Sequence, residues 1–138
     1  MDPQQYSTFL PQVVPLLRQR VGAYLIILFG SGAKGLIRPD SDVDLAFAGD
    51  AAISAYELFL LAQELAVKLG REVDLLDIDR LSTVMKAQIV ATGKVLYCAD
   101  ESKRQYLFMR ALREYAKLNE DRAVVLASVA KRGAVHAK

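Results

Sequence analysis

The stretch Leu28-Phe29-Gly30-Ser31-Gly32-Ala33-Lys34-Gly35-Leu36-Ile37-Arg38-Pro39-Asp40-Ser41-Asp42-Val43-Asp44-Leu45-Ala46-Phe47 decides the fold. An apolar run from Tyr24 to Phe29 enters a small-residue turn at Gly30 and Ser31, and a second, alternating run then carries Asp42 and Asp44 two positions apart. Residues i and i+2 of a strand point to one face, with Cα atoms roughly 6.5 to 7 Å apart. Asp42 and Asp44 therefore reach toward a common point while Val43 and Leu45 turn to the core. Two carboxylates held that close repel each other unless a cation sits between them. A hard divalent ion such as Mg²⁺ takes oxygen ligands from a few carboxylates together with substrate phosphates. Two such ions about 3.5 to 4 Å apart can stabilise both the attacking and the leaving oxygen of an in-line phosphoryl displacement. The pair points to a polyphosphate substrate.

Gly30 and Ser31 supply the complementary half. A turn without bulky side chains lets backbone N–H groups approach phosphate oxygens, and a helix beginning there adds its positive dipole end. The Ser31 hydroxyl can donate to the same phosphate. Alone, a Gly-Ser turn is more often simple punctuation, and Asp40, Ser41 and Asp42 are ordinary turn residues. The same-face aspartate pair that follows tips the balance toward a phosphate loop.

Gly30-Ser31, ten intervening residues and Asp42-Val43-Asp44 resemble the Gly-Ser-x10-Asp-x-Asp signature of the DNA polymerase beta-like nucleotidyltransferase superfamily. The flanking Leu-Phe-Gly-Ser and Pro-Asp-Ser-Asp-Val-Asp-Leu are most similar to its minimal nucleotidyltransferase (MNT) branch, small proteins commonly paired with HEPN-domain toxins. The resemblance covers roughly residues 20 to 97. Many members carry arginine where this chain has Gly32 and Lys34; Lys34 keeps a cation without the planar fork of arginine. The resemblance implies a nucleotide-binding role for Gly30, Ser31 and Lys34. It also implies a third metal carboxylate on a neighbouring strand, and Asp74 is the position that resembles it, with Asp77 as the rival.

With 138 residues the chain can build one domain around a real core. Its net charge of +2 is too small to argue for nucleic acid. No apolar run reaches the roughly 18 residues of a membrane span, and the N-terminus lacks a basic segment followed by an apolar signal core, so the expected location is the cytoplasm. Cys98 is the only cysteine and His136 the only histidine, which leaves no intrachain disulfide and no Cys/His zinc site. Cys98 reads as a small apolar residue at a strand end and His136 as part of a frayed tail.

Asp2-Pro3 is a helix start. Phe9, Leu10, Val13, Val14 and Leu17 follow at helical spacing, with Pro11 and Pro15 expected to kink or split the segment before Gly22. Ala23 to Phe29 suits a central strand covered on both faces. Gly49-Asp50 is expected to turn and cap a helix over Ala51 to Leu69, with Ile53, Leu58, Leu61, Leu65 and Leu69 facing the core and Gly70 closing it. Glu72 to Ile78 predicts a third strand with Asp74 on the face of Leu76 and Ile78 and Asp77 on the other. A helix from Leu81 to Thr92 and a short strand from Val95 to Tyr97 complete the core. Glu101 to Lys131 predicts one long basic helix, or two divided near Asn119. Its charges by default solvate an exposed face; a surface for an acidic partner is the sharper alternative. The expected fold class is thus α/β: a nucleotidyltransferase-like mixed sheet flanked by helices. It forms a single domain over residues 1–138, with a core at about 20–97 and a helical C-terminal extension at about 100–132.

The resemblance implies an Mg²⁺-dependent nucleotidyltransferase, with two ions held by Asp42, Asp44 and Asp74 and with ATP as substrate. Asp74 would also help deprotonate the attacking hydroxyl. Polymerases and transfer-RNA-modifying enzymes add domains to grip nucleic acid, and aminoglycoside-modifying relatives add a substrate domain. None is visible in this short chain, so nucleic acid is not the expected acceptor. The MNT resemblance implies instead transfer of AMP to a tyrosine of a cognate HEPN ribonuclease toxin, in a hetero-oligomer that makes this protein an antitoxin. Two other readings stay open: an antitoxin that acts by binding alone, and a small-molecule nucleotidyltransferase.

Overall fold

The computed structural model describes residues 3–30 and 42–136, with side chains described over 10–30 and 42–131. Asp2, Ser31, Gly32, Lys34 and the side chains of Phe9 and His136 lie outside these. The elements run α1 (Pro3–Val21), β1 (Ala23–Phe29), β2 (Val43–Gly49), α2 (Ala55–Leu69), β3 (Val73–Asp77), a 3₁₀ turn (Ile78–Arg80), α3 (Thr83–Thr92), β4 (Lys94–Cys98) and α4 (Glu101–His136).

The four strands form one sheet in the order β3-β2-β1-β4. β1 pairs antiparallel with both β2 and β4, whereas β2 and β3 are parallel, because the α2 crossover carries the chain back to the starting end of the sheet. The sheet is therefore mixed, as expected. Alternation along the strands builds two apolar layers. Ile26, Leu28, Val43, Leu45, Phe47 and Leu75 meet Val13, Leu17 and Val21 of α1 and Leu61 and Leu65 of α2. On the other face Leu25, Ile27, Phe29, Ala46 and Ala48 meet Ile89 of α3, with Leu107 and Phe108 of α4 packed against them. β1 is buried nearly throughout, which is why its run shows no polar alternation.

Several boundaries differ from the expectation, each for a local reason. α1 runs unbroken through Pro11 and Pro15. Both prolines lie on its exposed side, where the carbonyl each ring leaves unpaired can be hydrated and the helix can curve around the core. α2 starts at Ala55 rather than Ala51. The Asp50 and Ala51 N–H groups donate to the carbonyls of Gly22 and Val21, and Ser54 makes the cap, its Oγ accepting from the Glu57 N–H at 3.1 Å. Ile53, expected on the α2 core face, is buried just ahead of the helix. The third strand ends at Asp77, which caps the 3₁₀ turn, and Ser82 caps α3 one position after Leu81.

Cys98 closes β4, half-buried, with its thiol donating to Glu101 Oε2 at 3.5 Å. The C-terminal segment is one helix, with no division at Asn119 and with helical backbone through His136, where a frayed tail was expected. Its first half packs on α3 through residues such as Ala111, whereas every side chain from Asn119 to Lys131 is exposed. Part of its basic charge is paired: Lys103 with Asp50 at 3.1 Å, Arg110 with Glu114 at 2.9 Å, and Arg104 with Glu101. Among the described residues no helix is long and apolar enough to cross a membrane.

Candidate active site

The aspartates of the motif gather where β2 and β3 begin and β1 ends. Asp42 is the last residue before β2 and Asp44 its second residue. Across the parallel pair Asp44 is the register partner of Asp74, and on the antiparallel side it faces Phe29, the residue before Gly30. Backbone bonding pins this corner, since the Val43 N–H donates to the Glu72 carbonyl at 2.9 Å. Register partners point to the same side, so Asp44 and Asp74 both stand on the face that Ala46 and Ala48 share with α3 and α4. Asp44 is half-buried; Asp42 and Asp74 are exposed at the rim.

Gly30 forms the floor of this corner. Its φ is +67°, in the left-handed region, and a Cβ built on it would collide with Asp44 Oδ2. Only glycine meets both demands. The close approach of backbone to carboxylate is what a site needs when phosphate and metal must lie against the chain. Ser31 and Lys34, the other expected nucleotide contacts, fall outside the described residues.

Electrostatics mark Asp44 as the strained member. Burial pushes its carboxyl above the usual aspartate range, and the neighbouring Asp74 and then Asp42 push it further. Three oxygen donors of one sign, without nitrogen or sulfur, suit a hard divalent cation. Among the described residues no three acidic, histidine or cysteine side chains converge into a ready-made metal cage. A shared face without full convergence fits an ion that completes its shell with water and substrate oxygens.

Asp77, the rival third carboxylate, is occupied elsewhere. It pairs in register with Phe47 on the opposite face. Its Oδ1 accepts from the Asp79 N–H at 3.1 Å and its Oδ2 lies 3.7 Å from Arg80 Nε. That is a turn-capping role, and the rest of the constellation is out of its reach. A cavity of about 500 Å³ between the 3₁₀ turn, α3 and α4 is lined by Tyr24, Lys86, Lys103, Tyr106 and Arg110 among others. Tyr24 opens β1 while Gly30 follows its end, so this cavity sits at the far end of the sheet and contains none of the motif aspartates. Its volume does not make it the active site.

Comparison with known proteins agrees with this geometry. Residues 12–102 match the family described as Polymerase beta, Nucleotidyltransferase. The chain belongs to the polymerase beta-type nucleotidyltransferase family. It is 30% identical over 119 residues to the protein adenylyltransferase MntA of Shewanella oneidensis, covering 86% of this chain and 85% of that one. Among solved structures, a chain of a toxin–antitoxin crystallised with AMP-PNP superposes with a TM-score of 0.76 at 28% identity, covering 94% of this chain and 98% of the other. A complex of tri-AMPylated Shewanella oneidensis HEPN toxin with MNT antitoxin gives a TM-score of 0.74 at 28% identity, over 91% and 98% of the two chains. A nucleotidyltransferase of this family thus presents, in this chain, a glycine floor, two strand-start aspartates in register and a third acid two positions ahead.

Proposed function

We propose that the protein is an adenylyltransferase antitoxin that moves AMP from ATP to a tyrosine of a cognate HEPN ribonuclease toxin, releasing pyrophosphate. The observation that carries this reading is the register pairing of Asp44 with Asp74 beside Gly30. The similar chains named as a protein adenylyltransferase and as one half of a toxin complex support the acceptor.

Asp42, Asp44 and Asp74 are the residues to hold Mg²⁺, with two ions the favoured number. Such ions supply charge neutralisation at the attacking and leaving oxygens. The Gly30 backbone, with the Ser31 hydroxyl and the Lys34 ammonium, grips the phosphates that leave. Asp74, exposed at the rim, accepts the proton of the tyrosine hydroxyl as its oxygen bonds to the α-phosphorus. The bond from that phosphorus to the bridging oxygen breaks, and its electron pair departs with pyrophosphate. The protein works as one unit over residues 1–138, in the cytoplasm, in a hetero-oligomer with the toxin, and without nucleic acid as acceptor.

Incubation with the toxin and ATP labelled in its α-phosphate tests this reading. Label should enter the toxin in the presence of Mg²⁺, and should fail to enter with a chelator or with Asp44→Asn. Label that enters equally in all three conditions would remove the carboxylates from the chemistry.

A further inference from the structure

Helix α2 has two apolar faces, and its own fold uses one. Leu61, Ala62 and Leu65 are buried against the sheet. On the opposite side Tyr56, Phe59, Leu60 and Val67 are 69%, 58%, 46% and 83% exposed. At helical spacing Tyr56, Phe59, Leu60, Gln63 and Val67 form one continuous stripe about three turns long. A helix apolar all round is normally covered on every side, and a contiguous exposed apolar patch marks an interaction surface.

We propose that this stripe is the contact between two copies of the chain, packed α2 against α2, antiparallel, about a two-fold axis near Ala62 and Gln63. Size complementarity favours this occupant. The bulky residues Tyr56, Phe59 and Leu60 lie in the first half of the helix, and the smaller Gln63, Ala66 and Val67 in the second. Antiparallel pairing sets the bulky half of each copy on the small half of the other, as close packing requires. Charge complementarity selects the same register. It brings Glu57 opposite Lys68 of the second copy, and the two-fold repeats the pair.

Position points the same way. α2 covers the Leu45 and Leu75 face of the sheet, while Asp44 and Asp74 stand on the other. An acceptor protein must reach the aspartates, so its reacting surface does not cover α2. Two copies joined through α2 leave both aspartate faces open. A single pair of fifteen-residue helices is a small interface, so the association is reversible and concentration-dependent.

Sedimentation velocity of the full chain over a dilution series tests this directly. The parent should pass from monomer to dimer as concentration rises, and Phe59→Ser or Val67→Arg should weaken the association at least about tenfold. Both positions are exposed, so the melting temperatures of the variants verify that each remains folded. A cysteine pair tests the register. In a Cys98→Ala background, Gln63→Cys lies about 1.5 Å along the helix axis from its two-fold mate and should form a disulfide-linked dimer under mild oxidation. Glu120→Cys, on the exposed half of α4, should not. None of these readings depends on nucleotide transfer. A chain that stays monomeric at every concentration overturns the proposal, as does cross-linking no greater at position 63 than at position 120. It is equally overturned if Val67→Arg leaves self-association unchanged and weakens toxin binding instead, which would assign the stripe to the toxin.

Discussion

Asp44 and Asp74 are register partners across the parallel β2–β3 pair, one half-buried and one exposed, on the same face of the sheet. Burial, and then the neighbouring Asp74 and Asp42 carboxylates, hold the Asp44 carboxyl above the usual aspartate range.

Asp44→Asn should therefore abolish transfer while raising the melting temperature of the metal-free protein. Loss of one electrostatic stabiliser of a transition state costs on the order of 10²- to 10³-fold in rate. The sign of the pH effect follows from linkage. The folded state binds the Asp44 proton more tightly than the unfolded state, so this group's contribution to stability falls as pH rises from the ordinary aspartate range through the raised value. Thermal melts of parent and variant across that window, without divalent ions, should converge at the acid end and separate above it. Added Mg²⁺ should stabilise the parent more than the variant.

Gly30→Ala and Gly70→Ala form a matched pair. Both glycines have φ of +67°, so each substitution carries the left-handed penalty of about 1–2 kcal/mol. At Gly70 the new methyl meets nothing within 4 Å, whereas at Gly30 it collides with Asp44 Oδ2. Chemical denaturation should show destabilisation in both, and transfer assays should show loss in Gly30→Ala alone. Ser31→Ala should cost less, about 0.5–1.5 kcal/mol in nucleotide use, the worth of one neutral hydrogen bond.

Asp74→Asn and Asp77→Ala should divide along the two faces of β3. Asp77→Ala removes the acceptor for the Asp79 N–H and the partner of Arg80. It should cost about 1 kcal/mol of stability with transfer retained. Asp74→Asn should keep the fold and lose transfer. The reverse outcome would move the third carboxylate to Asp77.

The projecting half of α4 should contribute little to the stability of the domain. Leu126→Lys, at a position 66% exposed, should shift stability by less than about 0.5 kcal/mol. A larger loss in urea titration would mean that this half packs on something within the fold.

What could be read from the sequence divides along local and distant interactions. The apolar run Ala23–Phe29 and the closing glycine Gly70 announce themselves within a few residues, and the structure places both as expected. The start of α2 was also written locally, as Ser54 with Glu57 three positions on, a capping signal overshadowed by Gly49-Asp50. Other features depend on partners far along the chain. Pro11 and Pro15 are tolerated because of the face of α1 they occupy, which only the packed core defines. That Asp74 and not Asp77 shares the face of Asp44 depends on the β2–β3 register, set across the whole α2 crossover and invisible to periodicity.

If the aspartates write a covalent mark on the partner, that mark outlasts the complex. The toxin is incubated with this protein, ATP and Mg²⁺, separated, and examined both by intact mass and for ribonuclease activity. A covalent mark survives separation, while occlusion ends with the complex. The toxin mass should increase by whole adenylyl units and its ribonuclease activity should stay low, with both effects absent when Asp44→Asn replaces the parent. An unmodified toxin that regains activity on separation would contradict adenylyl transfer.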